Sequence, residues 1–174
     1  VVYSNEREMY PFVRRWLDEL LRARYPARTI RVFDSSRKSL ARLVAENSLM
    51  ADLPAEWPSW DIHVDIVGFA LKPGATELAF VECKNIPITL GHLSQLLGYS
   101  RVAKPRLSFI VSPQGVSDSL KSLLVAFQRT DVLQYSEQKG KLLCSIIVAK
   151  WSETASTIDQ GSLIAADAHY VGRL

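Results

Sequence analysis

The feature that most constrains this chain is a hairpin with acidic residues near its open end. Trp60 to Leu71 (WDIHVDIVGFAL) and Glu77 to Cys83 (ELAFVEC) are rich in β-branched and aromatic residues, which suit a pleated, half-buried strand. Between them, Lys72-Pro73-Gly74-Ala75 has proline and glycine where a tight reversal wants them. A turn centred between Pro73 and Gly74 sets Asp65 opposite Glu82. Because side chains alternate across a strand, Asp61, His63 and Asp65 share one face, and Glu82 and Lys84 share the matching face of the partner. Two carboxylates and an ammonium therefore converge.

Like charges directly opposite one another destabilise a sheet, so this pairing asks for a cation. Mg²⁺ takes oxygen ligands, keeps several waters, and is held by one or two carboxylates together with substrate phosphate oxygens; Mn²⁺ suits the same donors. One bound water can become the nucleophile, and a neighbouring lysine orients that water or stabilises charge on the phosphoryl oxygens. The pattern points to phosphodiester hydrolysis.

Asp65 followed by Glu82-Cys83-Lys84 resembles the D…(D/E)-x-K signature of the PD-(D/E)XK nuclease superfamily, which includes restriction endonucleases, Holliday-junction resolvases and RecB-type nucleases. Gln95-Leu96-Leu97-Gly98-Tyr99 is similar to the Q-x-x-x-Y motif that follows the E-x-K strand in RecB-like members. The resemblance covers roughly Tyr10 to Pro113. It implies an α/β protein with a restriction-endonuclease-like αβββαβ core, a mixed central sheet flanked by helices. It also implies that Asp65 and Glu82 bind the metal, that the Cys83 carbonyl adds a ligand, and that Lys84 handles the attacking water. Gln95 and Tyr99, four apart and so on one helix face, would contact the active site or the nucleic acid. Many members place a glutamate near the metal from the first helix, which makes Glu6 and Glu8 accessory candidates; the alternative for both is an acidic helix start that favours the macrodipole.

The chain departs from the family pattern in one place. Val64, not proline, precedes Asp65, and the nearest proline-linked aspartate is Asp61 in Pro58-Ser59-Trp60-Asp61. In the hairpin register Asp61 would face Ile86, beside Pro87 where the strand must end. Asp65 is thus the preferred ligand and Asp61 the alternative. His63 would face Lys84, where a histidine either handles protons or phosphate, or is structural.

A chain of 174 residues, 48% hydrophobic and 22% charged, is the size and composition of one globular domain. We read residues 1–151 as a single nuclease-like domain and 152–174 as a peripheral tail dominated by Ser, Thr, Ala and Gly, with a weak helix over 163–168. No apolar run has the length of a membrane span. The first residues lack a secretory pattern and a methionine, so the expectation is a cytoplasmic chain, trimmed or partial, with no membrane partner. Cys83 and Cys144 have no metal-ligand spacing, and Cys83 points away from the acids toward the core.

Net charge is +3, but residues 1–45 hold ten Lys/Arg against five Asp/Glu while the remainder holds eleven against thirteen. Arg37, Lys38 and Arg42, with Arg101 and Lys104 further on, are candidate nucleic-acid contacts; solvated helix faces are the alternative.

Apolar spacing predicts a first helix from about Tyr10, with Pro11 in its first turn, to Arg24, then a strand over Thr29 to Phe33. An inserted helix follows at about 35–50, capped by Asp34-Ser35-Ser36. Trp57 and Trp60 either stack on bases or pack. Thr89 caps a helix from Leu90 to Ala103 with Leu90, Leu93, Leu97 and Val102 inward, and Leu107 to Val111 is a buried strand. Ser117 caps a helix to about Arg129 with Leu120, Leu123, Leu124 and Phe127 inward. Val132 to Tyr135 and Leu142 to Trp151 are strands that extend the sheet or form a dimer edge.

The expected activity is a Mg²⁺-dependent DNA endonuclease of repair, recombination or restriction, with RNA as an alternative substrate. The competing expectation is a catalytically silent nuclease-fold module that binds nucleic acid or a protein partner. A single site cutting two strands favours a homodimer.

Overall fold

The computed structural model describes residues 3–138 and 141–166. A 3-10 turn at Glu6–Glu8 leads into helix α1 (Tyr10–Arg24), with Pro11 in its first turn as expected. Strand β1 (Thr29–Asp34), helix α2 (Leu40–Glu46), and the hairpin of β2 (Ile66–Leu71) and β3 (Glu77–Cys83) follow. Then come α3 (Leu90–Ala103), β4 (Leu107–Ser112), α4 (Asp118–Lys121), β5 (Gln134–Gln138), β6 (Lys141–Ser152) and β7 (Thr157–Ile158). They form one seven-stranded sheet in the order β1-β2-β3-β4-β6-β5, with β7 on β6. The β1-β2-β3 part is antiparallel, and β3-β4-β6 is parallel. The architecture is a mixed sheet flanked by helices.

The hairpin has the register its turn dictates. Ile66 pairs with Val81 and Val67 with Phe80, and Gly74 turns the chain at φ +75°. One step beyond the ladder, Asp65 comes opposite Glu82. The first strand of the hairpin is shorter than expected, because β1 stops at Asp34, opposite Ile66, and among the described residues no strand pairs with Trp60 to Asp65. That segment is unladdered. Its carbonyls instead accept from the N–H of Ala41 (on Trp60), of Leu40 (on Ile62) and of Ser35 (on Asp65), and Ser35 Oγ donates to the Val64 carbonyl at 2.6 Å.

The same bonds move the inserted helix. With Ser35 committed to the segment before β2, capping falls to Ser39, whose hydroxyl accepts the Arg42 N–H. Ser48, at φ +53°, lies just past the helix end. The helix is therefore Leu40–Glu46 rather than 35–50.

Helices cover both faces of the sheet. On one face α1 buries Val13, Trp16, Leu17 and Leu21 against Ile66, Ala79, Val81, Cys83 and Phe109, and Trp16 meets Phe109 and Trp151 edge-on at 5.1 and 5.9 Å. Gly68 permits this close approach: a Cβ there would lie 2.5 Å from Leu21 Cδ1 and 3.2 Å from Leu17 Cδ2. The other face packs Val67, Phe69, Phe80, Ile110 and Ile146 against α2, α3 and α4.

Several elements differ from their expected faces or limits. The inward stripe of α3 is Leu93, Leu96, Ser100 and Ala103, whereas Leu90 and Val102 are exposed. Ser100 is tolerated inside because its hydroxyl bonds that of Ser108 at 2.8 Å. After α4 the chain widens into a π turn, Ser122–Ala126, which leaves Phe127 exposed rather than inward. The residues before β5 form a 3-10 turn, Thr130–Leu133, so β5 starts later than expected and extends the sheet. The segment after Ser152 is folded: Ile158 is buried with the α1 core, and Ile164 bridges Val148. Leu163 and Ile164 are not helical, and the rest of the 163–168 stretch beyond Ala166 lies outside the described residues. Among the described residues no helix is long and apolar enough to cross a membrane.

Candidate active site

The parallel ladder between β3 and β4 continues past its last strand pair through the Lys84 N–H, which donates to the Val111 carbonyl at 2.9 Å. This pins Glu82, Cys83 and Lys84 at the carboxyl end of a parallel pair, the end at which open α/β sheets bind ligands. Asp65 arrives from the other strand of the hairpin. Its Oδ2 accepts the Cys83 N–H at 2.8 Å, and its Oδ1 accepts the Tyr10 hydroxyl at 2.6 Å. Both oxygens are thereby oriented while each keeps a lone pair.

Glu82 is held differently. Lys84 Nζ donates to its Oε1 at 2.9 Å, while its Oε2 is buried and has no hydrogen-bond partner among the described residues. An unsatisfied buried carboxylate oxygen is costly, and here it stands beside a second carboxylate. Burial first, and the Asp65 charge second, push Glu82 up to about 7, against the opposing pull of Lys84. Burial also raises Asp65, with Tyr10, Cys83 and Lys84 opposing. For Lys84, burial works against the ammonium, but Glu82, Glu6 and Asp65 outweigh it and the net shift is upward. The site therefore has an excess of buried negative charge and a lysine that stays charged.

Glu6, in the turn before α1, completes the group, its Oε2 lying 3.6 Å from Lys84 Nζ. Glu8 turns the other way. It accepts from the backbone and hydroxyl of Ser4 and from Asn5 Nδ2, and those Ser4 bonds hold it below its usual range. Asp61 and His63 pair with each other at 3.0 Å on the exposed side of the unladdered segment. Among the described residues neither bonds to Asp65, Glu82 or Lys84. Cys83 is fully buried with the α1 core; burial, followed by the neighbouring Asp65 and Glu82 charges, raises its thiol.

A cleft of about 730 Å³ opens onto Asp65, lined by Ser4, Asn5, Glu6, Arg7, Tyr10, Ser36 and Asn85. Tyr10, Arg7 and Asn85 are site residues that the sequence reading missed. Tyr10 carried one signal: a phenol at the end of a buried helical stripe needs an acceptor. Gln95 and Tyr99 share a face of α3, as expected, and bond each other at 3.3 Å. His92, in the first turn of that helix, feels the charges of Lys84 and Glu6.

The basic candidates are dispersed. Lys38 and Arg42 both pair with Glu46. Arg37 is exposed, next to the cleft residue Ser36. Arg101 and Lys104 lie at the other end of α3 from Thr89. Trp60 is fully buried and Trp57 packs on the core beside it, so both are packing residues.

The donor set suits a hard cation. Asp65 and Glu82, the latter with a buried oxygen that has no partner among the described residues, are oxygen donors, and Asp65 is bonded to the backbone of Cys83 through its N–H. Among the described residues no group of three or more His, Cys, Asp or Glu is arranged to hold a metal ion unaided, so waters and substrate oxygens would have to complete the shell. Compared with known proteins, this chain matches no family model, and no curated protein or solved structure matches it.

Proposed function

We propose that this chain is a metal-dependent nuclease of the PD-(D/E)XK type, with a restriction-endonuclease-like core, that hydrolyses phosphodiester bonds of DNA. The observation that carries the reading is the Glu82 carboxylate, which has one oxygen on Lys84 and the other buried and, among the described residues, unpartnered beside Asp65.

Asp65 and Glu82 would hold Mg²⁺ or Mn²⁺, with the Cys83 carbonyl as a further donor. Bound there, the cation would supply Lewis-acid polarisation of the phosphoryl oxygens and a water of lowered pKa. The chain's own residues supply the geometry. Tyr10 and the Cys83 N–H fix both Asp65 oxygens. Lys84, paired with Glu82 and Glu6, remains an ammonium, so it donates hydrogen bonds to the attacking water or to a phosphoryl oxygen and is not the base. The cleft beside Asp65, edged by Arg7 and Asn85, leaves room for a backbone phosphate. The same metal chemistry would hydrolyse either backbone, so RNA is the second substrate to assay.

The test is cleavage of supercoiled, linear, single-stranded and four-way-junction DNA, and of RNA, in Mg²⁺, Mn²⁺ or EDTA, with the native chain, Asp65→Ala and Lys84→Ala. Metal-dependent cutting lost in both variants is the expected result. Full activity of a folded Lys84→Ala protein would sink the assignment.

A further inference from the structure

We propose that His92 is a substrate contact of this site, its ring locked by the first turn of α3 so that Nε2–H is presented to a non-bridging oxygen of the nucleic-acid backbone. The inference rests on the nuclease reading and deepens it by naming how the strand is held.

Helix α3 opens with a reciprocal cap. The His92 N–H points to Thr89 Oγ1 at 3.5 Å, and the Thr89 N–H donates to His92 Nδ1 at 3.2 Å. In such a box the third position is usually Glu or Gln. Histidine can do the same capping and still has a second ring nitrogen. Because Nδ1 accepts from a backbone N–H, the hydrogen of the neutral ring sits on Nε2. The cap thus fixes both the tautomer and the orientation of the ring. Among the described residues Nε2 has no hydrogen-bond partner, and the ring is only partly buried.

Location and charge agree with this role. Helix α3 is the crossover between the parallel strands β3 and β4, so its first turn lies at the carboxyl end of β3, the end that carries Glu82 and Lys84; burial, and then the charge of Lys84, lower the imidazole pKa, with Glu6 opposing. Along α3, His92, Gln95 and Tyr99 recur at three and four residues and share a face, a row of uncharged polar groups that runs on the order of 10 Å along the helix axis. Uncharged donors hold phosphates without displacing counterions. Their loss weakens binding yet leaves its salt dependence alone.

The test compares His92→Gln, whose amide oxygen can keep the cap and whose amide N–H can stand in for Nε2–H, with His92→Ala, which lacks both. Binding of a labelled oligonucleotide in EDTA is measured across salt concentrations, with urea unfolding and with cleavage in Mg²⁺. We expect His92→Gln to unfold and to bind like the native chain. His92→Ala should bind about tenfold more weakly with an unchanged salt slope, raise KM more than it lowers kcat, and show a lower unfolding midpoint. Imidazole ¹⁵N shifts of the free protein should report the Nε2–H tautomer. Native binding and KM in His92→Ala, or an Nδ1–H tautomer, would overturn the inference while the nuclease reading stands. A native chain that neither binds nor cuts nucleic acid would overturn both.

Discussion

The hydroxyl of Tyr10 donates to Asp65 Oδ1 at 2.6 Å across 55 residues of chain, so the first helix sets the orientation of a carboxylate at the open end of the hairpin. Replacing Tyr10 with phenylalanine keeps the ring and removes only that bond. Loss of a hydrogen bond to a charged group costs about 1.5–3 kcal/mol, and Tyr10→Phe should lower the urea unfolding free energy by that amount. The same bond pulls the Asp65 pKa down, so cleavage by the variant should begin at higher pH as well as run more slowly. An unaltered pH profile and midpoint would mean that Asp65 is positioned by Cys83 alone.

Glu82 gives a stability prediction with a definite sign. Its folded pKa, about 7, stands above its ordinary 4.5, so in the pH range between them the folded state binds the proton that the unfolded state has lost. The stabilisation is complete below the ordinary pKa and is lost as pH rises through the folded value, a decline on the order of 3 kcal/mol. In EDTA the native chain should therefore lose stability from mildly acidic pH to pH 8. Glu82→Gln should lack that limb and melt higher than the native chain at pH 8. Added Mg²⁺ should raise the melting temperature of the native protein but not of the variant. Parallel pH curves for the two proteins would rule out the buried anion as the source.

Lys104 caps α3 in the left-handed conformation at φ +49°, which costs a residue with a Cβ roughly 1 kcal/mol. Lys104→Gly should stabilise the fold by about 0.5–1 kcal/mol, measured by chemical unfolding. Arg101 lies nine residues from His92, half a turn out of phase on the helix. Arg101→Ala combined with Lys104→Gly should thus leave cleavage as it was. A large drop in activity would extend the substrate path over the far end of α3.

Gly68 lies beneath Leu21 and Leu17, both of which are boxed into the core. Gly68→Ala forces those side chains aside and should destabilise the fold by about 1–2 kcal/mol, even though alanine suits a strand better than glycine. Calorimetry would show a lower melting temperature. A variant as stable as the native chain would mean that α1 can lift off the sheet without cost, and its effect on the Tyr10–Asp65 bond could then be read directly from activity.

The hairpin register was legible because two local signals agree on it: Pro73-Gly74 places the turn, and alternating β-branched residues fix the faces. The beginning of that strand was not. Trp60, Ile62 and Val64 are buried while Asp61 and His63 are exposed, the alternation of a strand, but a ladder also needs a neighbour, and whether β1 reaches that far is not written in residues 60–65. The inward place of Ser100 was equally hidden, since a serine in a helix reads as outward until Ser108 is known to face it. Of the proposed site, Asp65, Glu82 and Lys84 could be found from spacing along two strands. Tyr10 could not, because it looks like a packing residue until the fold brings Asp65 near.

Strand β5 ends the sheet on one side, and its register against β6 shifts twice, between Gln134 and Ser136 and again between Ser136 and Gln138. Such irregularities twist an outer strand and interrupt its evenly spaced donors and acceptors. A second copy therefore has a poor template for prolonging this sheet, and the protein is guarded at that margin against growing into fibres. Two copies that meet to cut both strands of a duplex would have to do so through another surface, leaving each sheet its own.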